Sequence, residues 1–445
     1  MTANRCLSEW LALLSSRSPE SVFRLGLERV REVWGRLGMT PPAGRVISVA
    51  GTNGKGSCAL FCESLLRASG RTVGTTLSPH LDRFNERIRI DGREATDRVI
   101  CAGMAAVEAA RGDVHLSYFE HAILAALCCF DASDLDTWVL EVGLGGRLDA
   151  VNIVDADVAI ISSIGLEHTA WLGDTLEEIG IEKAGILRSG QPLVCGSAEM
   201  PNSVLVRAET LDCQVFMPGR DFNFERYGDG LRVRANTKAM SMEMDIDIEL
   251  QSSIMPRIAP ENVAAASMAC VRLEQPARIS SQAFHAACRE VFNPGRLEHF
   301  DVAGVNIVLD LAHNPAAARF LRRQLDHQPS PKRTRAICGF LADKDAAGTL
   351  CELTSCVDHW LFVDTPGARG RSAEALAALA KDVLGEASCE THDSMESALS
   401  AAKGVSCASD RVLVFGSFTT VGQARRLLQN RSDVRPISYD RRLDR

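Results

Sequence analysis

The segment Gly51-Thr52-Asn53-Gly54-Lys55-Gly56-Ser57 combines glycines, a lysine and a hydroxyl, which are the residue types that bind nucleotide phosphates. Glycines let the backbone turn tightly, so that N–H groups converge on phosphate oxygens at the start of a helix. Lys55 would reach the outer phosphates, and the Ser57 hydroxyl would coordinate Mg²⁺. The pattern G-x-x-x-x-G-K-[ST] is not strictly met, because Val49 replaces the first glycine and Gly56 precedes the hydroxyl. In this context the segment still predicts an ATP-phosphate-binding loop.

Two more polar side chains come at the ends of apolar segments, which is where parallel α/β sheets place their ligand-binding residues. Glu141 lies near the end of the segment Thr137–Val142, and a carboxylate there suits Mg²⁺. His168 follows the segment Val158–Ile164 and would lie at the same edge of the sheet. Because Mg²⁺ prefers oxygen ligands, His168 taken alone is more typical of a structural hydrogen-bonding residue than of a metal ligand.

The elements that must position these residues follow from hydrophobic periodicity. Short β-rich apolar segments alternate with helical patterns, which predicts a parallel α/β sheet. The predicted strands are Val46–Ala50, Thr72–Leu77, Thr137–Val142, Val158–Ile164 and Pro192–Cys195. A helix is predicted over Cys58–Ala68, directly after the phosphate loop. The pattern changes at Phe222–Glu249, where three alternating runs, two of them separated by Gly228-Asp229-Gly230, predict an antiparallel ribbon.

A second α/β series begins after Asn293-Pro294-Gly295. Its predicted strands are Val305–Leu311, Arg335–Gly339, Trp360–Asp364 and Val412–Gly416. The fold class is therefore α/β, with a P-loop parallel-sheet ATPase domain that carries a small antiparallel ribbon, and a second, smaller Rossmann-like α/β domain. We place these domains at residues 1–294 and 295–430, and we expect residues 431–445 to form a flexible polar tail.

Composition narrows the class of partner and the compartment. The net charge of −8 over 445 residues gives no reason to expect nucleic acid or an anionic membrane as a partner. The 15 cysteines include no C-x-x-C pair and lie mostly in apolar segments, which is typical of a reducing compartment. The N-terminal segment lacks the apolar stretch of a signal peptide. We therefore expect a cytoplasmic protein with no membrane partner.

Further motifs follow the phosphate loop in a fixed order. They are Ser78-Pro79-His80, Phe84-Asn85-Glu86-Arg87, Glu141–Ala150, Ile181–Ile186, Pro294-Gly295-Arg296, Asp310–Pro315, Asp343-Lys344-Asp345 and Gly416-Ser417-Phe418. Together they resemble the folylpolyglutamate synthase / dihydrofolate synthase branch of the Mur ligase superfamily, over about residues 20–425. Only about fifty residues precede the phosphate loop, which are too few for the UDP-binding domain of Mur ligases. This favours a folate over a peptidoglycan precursor as the substrate.

The resemblance implies roles for individual residues. Gly51 to Ser57 would hold ATP, with Asn262 from the same domain and Arg296 and Asp310 from across the domain cleft. The implied ligands for two Mg²⁺ ions are Ser57, Ser78, Glu141, His168 and Lys183. Lys183 resembles the lysine that this family carbamylates, which turns an ammonium that repels metal into an oxygen donor. The implied catalytic residues are Lys55, His168, Lys183 and His313, and both His313 and Ser417 resemble residues near the glutamate site.

The pterin side of the substrate is implied to contact two segments. They are Ser117-Tyr118-Phe119-Glu120 and Leu148-Asp149-Ala150. Tyr118 and Phe119 could stack on a flat pterin ring, and they are equally typical of core aromatics at the start of a helix. One departure concerns Phe23-Arg24-Leu25, where bifunctional members have Ile-Asp-Leu. An arginine offers no acceptor to the N–H donors of a pterin, which argues against dihydropteroate at that point. A second departure is Glu167-His168-Thr169-Ala170, where Asp-His-Thr-Asp is commoner.

The implied reaction activates a pteroate or folate carboxylate as an acyl phosphate, which the amine of L-glutamate then attacks. The expected partners are ATP, L-glutamate and dihydropteroate or a reduced folate, and the chain is expected to act as a monomer. Three alternatives stay open: polyglutamylation alone, a related ligase for another carboxylate, and a P-loop kinase. A GTPase-like switch is a poorer match, since Asp343-Lys344-Asp345 is not the Asn-Lys-x-Asp motif that reads guanine.

Overall fold

The computed structural model describes residues 5–19, 25–41, 45–227, 230–235, 246–250, 258–274, 279–385, 389–431 and 434–436. It divides into two compact units, Met1–Phe292 and Asn293–Arg445. The departure from the family pattern at Phe23 and Arg24 and most of the predicted tail lie outside the described residues. Within them, no helix is both long enough and apolar enough to cross a bilayer.

An eight-stranded sheet forms the centre of the first unit. Its strands are β1 (Val46–Ala50), β2 (Val73–Thr76), β3 (Ile88–Ile90), β4 (Arg93–Glu94), β5 (Thr137–Glu141), β6 (Val158–Ile161), β7 (Pro192–Cys195) and β8 (Gln214–Phe216). The order is β4-β3-β2-β5-β1-β6-β7-β8. Strands β2, β5, β1, β6, β7 and β8 run parallel, and β3 and β4 add an antiparallel edge. The central strand β1 is fully buried, as its apolar sequence predicts.

Helices cover both faces of this sheet. They are α1 (Leu7–Arg17), α2 (Glu28–Leu37), α3 (Lys55–Ala68), α4 (Asp97–Arg111), α5 (Tyr118–Asp131), α6 (Thr169–Leu172), α7 (Leu176–Ala184), α8 (Asn202–Thr210), α9 (Pro260–Leu273) and α10 (Ser281–Glu290). One apolar core is built around α3, α9 and α10, and another around α1, α2, α4 and α5. Cys58 and Cys62 of α3 and Cys270 of α9 are fully buried in the first of these cores, where they pack as small apolar side chains.

A three-stranded ribbon completes the first unit, and its strands are β9 (Phe222–Tyr227), β10 (Gly230–Ala235) and β11 (Ile246–Leu250). The strands are antiparallel in the order β11-β10-β9, which confirms the predicted ribbon. Phe222 and Val233 are buried in the core around α3 and α9. Gly228 and Asp229 of the predicted turn lie outside the described residues.

The second unit is built on a seven-stranded sheet. Its strands are β12 (Glu298–Val302), β13 (Val305–Leu309), β14 (Thr334–Cys338), β15 (His359–Val363), β16 (Cys389–His392), β17 (Arg411–Phe415) and β18 (Val434–Pro436), in the order β16-β15-β14-β17-β13-β12-β18. The five strands from β16 to β13 run parallel. The helices are α11 (Pro315–Asp326), α12 (Ala346–Cys351), α13 (Ala373–Leu384), α14 (Met395–Gly404) and α15 (Phe418–Gln429).

The predicted α/β fold class is confirmed, with two differences at the phosphate loop. The helix after the loop begins at Lys55 rather than at Cys58, because Gly54 caps it with a φ of 90°. Strand β6 ends at Ile161 rather than at Ile164. The serines that follow, Ser162 and Ser163, leave the sheet and hydrogen-bond to the phosphate loop instead.

Candidate active site

The phosphate loop is held by the two serines that follow β6. The Thr52 N–H donates to the Ser163 carbonyl at 2.7 Å, and the Asn53 N–H donates to the Ser163 hydroxyl at 3.0 Å. The Ser162 hydroxyl donates to the Asn53 carbonyl at 2.7 Å. A Cβ at Gly51 would lie 2.0 Å from the Ser162 hydroxyl oxygen, so only glycine fits there. The loop is therefore fixed before any nucleotide binds.

The first turn of α3 follows this loop directly. The first N–H groups of a helix have no acceptor within the helix, and they bind phosphate well. Lys55, Gly56 and Ser57 form this first turn. A Cβ at Gly54 would lie 2.5 Å from the side-chain oxygen of Asn262, so Asn262 lies directly against the loop. The structure thus brings together the predicted ATP-binding residues of the first unit.

Two lysines meet at the Gly51 carbonyl. Lys55 Nζ donates to this oxygen at 2.9 Å and also to the Thr52 carbonyl at 3.3 Å. Lys183 Nζ donates to the same Gly51 oxygen at 2.8 Å, and Lys183 is only 4% exposed. Burial, together with the neighbouring Lys55 ammonium, lowers the pKa of Lys183 to about 7, against the opposing charges of Glu167 and Asp149. A large fraction of Lys183 is therefore a neutral amine near pH 7.

The predicted metal ligands Ser78 and Glu141 are adjacent. The Ser78 N–H donates to the Glu141 carboxylate at 2.8 Å, and Glu141 is 4% exposed. A Cβ at Gly56 would lie 3.5 Å from one carboxylate oxygen, which places Glu141 beside the loop and next to Ser57. The buried Ser78 hydroxyl has no hydrogen-bond partner among the described residues. An unpaired hydroxyl beside a carboxylate is the arrangement expected of a metal site.

His168 lies on a left-handed backbone conformation, with a φ of 51°. Its Nε2 is 3.7 Å from a carboxylate oxygen of Glu167, and the charge of Glu167 also acts on Lys183. Within the described ranges, no three His, Cys, Asp or Glu side chains are grouped so that they could hold a metal ion. Metal binding here would therefore need the serine hydroxyls and a modified Lys183 as well.

Two of the residues predicted near the pterin form a helix cap. The Ser117 hydroxyl accepts the Glu120 N–H at 3.2 Å, and the Glu120 carboxylate accepts the Ser117 N–H at 2.6 Å, which is a capping box at the start of α5. Arg29 of α2 donates to Glu120 at 2.8 Å. These two side chains therefore position α5.

The two aromatic residues that follow Ser117 differ in their surroundings. Tyr118 is 5% exposed and packs edge-to-face on Phe84, with ring centroids 6.3 Å apart, so it belongs to the core. The Arg87 guanidinium lies 5.9 Å from the centre of the Tyr118 ring. Phe119 is half-buried and packs on Gly143, where an added Cβ would lie 2.5 Å from the ring. Of the two, Phe119 is the better placed to meet a ligand.

Asp149 organises the glycine-rich loop after β5. Its carboxylate accepts the N–H groups of Gly143, Leu144 and Val151 at 3.1, 2.9 and 3.0 Å. Burial raises the pKa of Asp149 to about 6 against these three hydrogen bonds. Its predicted neighbours in the substrate segment are the half-buried Leu148 and the buried Ala150.

Three predicted residues of the second unit, Asp310, His313 and Ser417, follow the carboxyl ends of β13 and β17, whereas Arg296 precedes β12. The buried Asp310 carboxylate accepts the N–H groups of Leu297 and Ala312 at 3.0 and 2.9 Å. Burial raises its pKa, and the charge of Arg296 opposes this. His313 Nδ1 lies 2.8 Å from the Leu311 carbonyl oxygen. The Ser417 hydroxyl accepts the Thr420 N–H at 3.0 Å and caps α15.

Sequence patterns missed Ser162 and Ser163. Both lie within the predicted strand Val158–Ile164. They are more than a hundred residues away from the phosphate loop in sequence, and the pairing of β1 with β6 brings them next to it. In the sequence Glu167 is marked only by its departure from a family motif, although its charge acts on both His168 and Lys183. No local signal marks either role.

Comparison with known proteins agrees with this geometry. Residues 49–270 match the Mur ligase middle domain, and residues 295–418 match the glutamate ligase domain of Mur ligases. The dihydrofolate synthase/folylpolyglutamate synthase of Escherichia coli K12 is 40% identical over 425 residues, which cover 96% of each chain. The corresponding protein of Haemophilus influenzae is 36% identical, over 95% of this chain and 98% of its own length.

Solved structures show the same similarity. Escherichia coli FolC in complex with DHPP and ADP superimposes with a TM-score of 0.87 and 38% identity, covering 96% of this chain and 99% of that one. A bifunctional folylpolyglutamate synthase/dihydrofolate synthase with Mn, AMPPNP and L-glutamate bound superimposes with a TM-score of 0.84 and 38% identity, covering 96% and 99%. With similarity of this extent over nearly its whole length, the chain belongs to the dihydrofolate synthase/folylpolyglutamate synthase family of Mur ligases.

Proposed function

We propose that this chain joins L-glutamate to the carboxylate of a pteroate or a folate at the expense of ATP, with both dihydrofolate synthase and folylpolyglutamate synthase activity. One observation carries the proposal. Lys183, which would be an exposed helix lysine in an unrelated protein, is buried with its amine on the carbonyl of the phosphate loop. This arrangement supports a ligase of the family to which the chain belongs over a general P-loop kinase.

The reaction has two steps. The substrate carboxylate attacks the γ-phosphorus of ATP, the bond to ADP breaks, and an acyl phosphate forms. The neutral amine of L-glutamate then attacks the acyl carbon, phosphate leaves, and the amine nitrogen loses a proton. Lys55 and the first N–H groups of α3 would neutralise charge on the transferred phosphoryl group.

Mg²⁺ fits the residues present, because the buried Ser78 hydroxyl has no partner in the described part of the chain and the backbone N–H of the same residue donates to Glu141. Ser57, Ser78 and Glu141 would hold one ion, and His168 with a carbamylated Lys183 would hold a second. When bound, Mg²⁺ supplies positive charge to the phosphate oxygens. Carbamylation needs only CO₂: the neutral Lys183 amine attacks its carbon and one proton is released.

The remaining site residues keep the roles that the family resemblance implies. Asn262, Arg296 and Asp310 would contact the nucleotide, and His313 and Ser417 would contact the glutamate. Phe119 would line the pterin site directly. The other predicted residues would shape this site through their buried contacts or as their neighbours in sequence, and they are Ser117, Tyr118, Glu120, Leu148, Asp149 and Ala150. We also infer that the chain works as a monomer in the cytoplasm, which is consistent with its 15 free cysteines.

One assay tests the proposal. Purified protein with ATP, Mg²⁺ and L-glutamate is offered dihydropteroate and tetrahydrofolate in parallel, and ADP release is measured with and without glutamate. Turnover of both substrates is expected. Turnover of tetrahydrofolate alone would favour the alternative of polyglutamylation only, which the sequence Phe23-Arg24 motivates. ADP release that needs neither the acid nor glutamate would overturn the ligase assignment.

A further inference from the structure

The buried hydroxyl of Thr52, in the phosphate loop, hydrogen-bonds twice to the backbone of Gly165. It donates to the Gly165 carbonyl at 3.1 Å and accepts the Gly165 N–H at 3.0 Å. The Thr52 N–H donates to the Ser163 carbonyl at 2.7 Å. A threonine has only these two donors, one in its backbone and one in its hydroxyl. Thr52 therefore has no donor left for a phosphate oxygen, and its side chain serves the segment that follows β6.

The two residues belong to neighbouring loops at one edge of the first sheet. Thr52 follows β1 and Gly165 follows β6, and these two strands are parallel neighbours. Ser162 and Ser163 attach the beginning of the second loop to Asn53. The Thr52 hydroxyl extends this attachment to Gly165, so the phosphate loop holds the second loop along residues 162–165.

His168 lies three residues after Gly165 and is held on its other side as well. Its carbonyl accepts the Leu172 N–H at 3.0 Å in the single turn of α6, and Leu172 is buried in a small apolar cluster. Leu166, between Gly165 and His168, is 59% exposed and gives the segment no buried anchor. The position of His168 therefore depends on the Gly165 attachment before it and on α6 after it.

We propose that Thr52 is a positioning residue for the second metal ion, and that it acts by fixing the segment that carries His168. The inference rests on the proposed function, in which His168 and a carbamylated Lys183 would hold this ion. Groups that orient a metal ligand without touching the metal typically contribute a factor of about 10 to 100 to metal affinity or activity. The Thr52 hydroxyl would thus connect the loop that binds ATP phosphates to the loop that binds the metal.

The test measures Mn²⁺ binding to the full chain and to the variants Thr52→Val and Thr52→Ser. Each protein is titrated with Mn²⁺ in bicarbonate buffer with a non-hydrolysable ATP analogue, and free Mn²⁺ is followed by its electron paramagnetic resonance. The wild type should bind two ions per chain. Valine keeps the size of the side chain without the hydroxyl, so Thr52→Val should bind one ion normally and the other about tenfold or more weakly. Thr52→Ser keeps the hydroxyl and should restore the second ion.

Thr349→Val is the matched control. Thr349 is also buried, and its hydroxyl donates to the backbone carbonyl of Asp345 in the second unit. Both valine variants lose a buried hydroxyl bond, so both should have a lower Tm, but Thr349→Val should bind Mn²⁺ like the wild type. Hydrogen exchange of the metal-free chains gives a second readout. The amides of residues 165–168 should exchange faster in Thr52→Val than in the wild type and the control.

The outcomes separate positioning from a general structural role. Thr52→Val that binds both ions with wild-type affinity, whatever its Tm, would overturn the inference. Equal loss of both ions would also overturn it, because the change would then act on the phosphate loop itself. Selective loss of one ion in a chain whose wild type ligates no folate would support the inference and contradict the proposed ligase activity alone. A wild type that binds a single Mn²⁺ would contradict the second metal ion and the inference with it.

Discussion

Lys55 and Lys183 share one hydrogen-bond acceptor, the carbonyl oxygen of Gly51, at 2.9 and 2.8 Å. Two ammonium groups so close repel each other, and the buried one loses its proton more readily. Burial is the main reason that the pKa of Lys183 is lowered to about 7, and the charge of Lys55 adds to this effect. A neutral amine is the form that reacts with CO₂, and the resulting carbamate would attract Lys55 instead of repelling it. The geometry of the phosphate loop therefore favours the proposed carbamylation of Lys183.

The first prediction concerns Lys55 itself. Lys55→Ala should lower kcat by at least about 10³-fold, because the variant loses a fixed positive charge next to the transferred phosphoryl group. The fold should persist, since the amine of the removed side chain donates to the backbone carbonyls of Gly51 and Thr52. Steady-state ADP release and circular dichroism check the two statements. Lys332→Ala, at an exposed position of the second unit, serves as the control, and near-native ligation by Lys55→Ala would contradict the role of the loop.

The second prediction concerns CO₂. Protein kept in CO₂-free buffer should lose activity and regain it when bicarbonate is added, and the active form should gain the mass of one CO₂ per chain. Lys183→Met should lose about 100-fold or more in kcat, because even residues that only support metal ligands contribute up to about that factor. The variant should not respond to bicarbonate. Wild-type activity that ignores CO₂, with no mass change, would contradict the carbamylation of Lys183.

A third prediction concerns the Ser78 hydroxyl, which has no partner among the described residues. Ser78→Ala should raise the Mg²⁺ concentration for half-maximal activity by about tenfold or more, because it removes one oxygen ligand. Its Tm should not fall, since no hydrogen bond to the hydroxyl is lost. Activity titrations with Mg²⁺ provide the measurement. Ser69→Ala is the control, because that hydroxyl donates only to the Leu65 carbonyl at the end of α3.

The strands and the phosphate loop were predictable because their signals are local. Four of the five residues of Val46–Ala50 are apolar and they lie on both faces, as a strand buried on both faces requires, and the phosphate loop follows the strand directly. The antiparallel ribbon was predictable because apolar and polar residues alternate within Phe222–Glu249. The end of β6 was not, because Ser162 and Ser163 leave the sheet for contacts with residues more than a hundred positions earlier.

Side-chain environments in the candidate site were less predictable than its location. The spacing of Ser117 and Glu120 fits a capping box as well as a substrate loop, and the structure shows both side chains in the cap. A special role for Lys183 was implied only by the family motif, and the sequence of α7 by itself gives no signal for its burial.

The last prediction concerns His121, which is 1% exposed. Its Nε2 lies 3.3 Å from the Met104 carbonyl, so Nε2 carries the proton of the neutral ring. Burial lowers its pKa to about 4; the charge of Glu108 opposes this, and those of Arg111 and Arg17 add to it. The folded chain therefore holds His121 neutral under conditions in which the unfolded chain would protonate it.

Folding stability should consequently fall as the pH falls. Below the pKa of 6.5 for an unfolded histidine, the unfolded state binds a proton that the folded state does not bind until about pH 4. The free energy of unfolding should lose ~3 kcal/mol between these limits through His121 alone. His121→Gln keeps an N–H donor for Met104 without a titrating ring, so its stability should depend less on pH over this range. Urea unfolding of both chains at each pH, followed by tryptophan fluorescence, isolates the difference because other titrating groups are shared. Parallel stability curves for the two chains would show that His121 is not the group responsible.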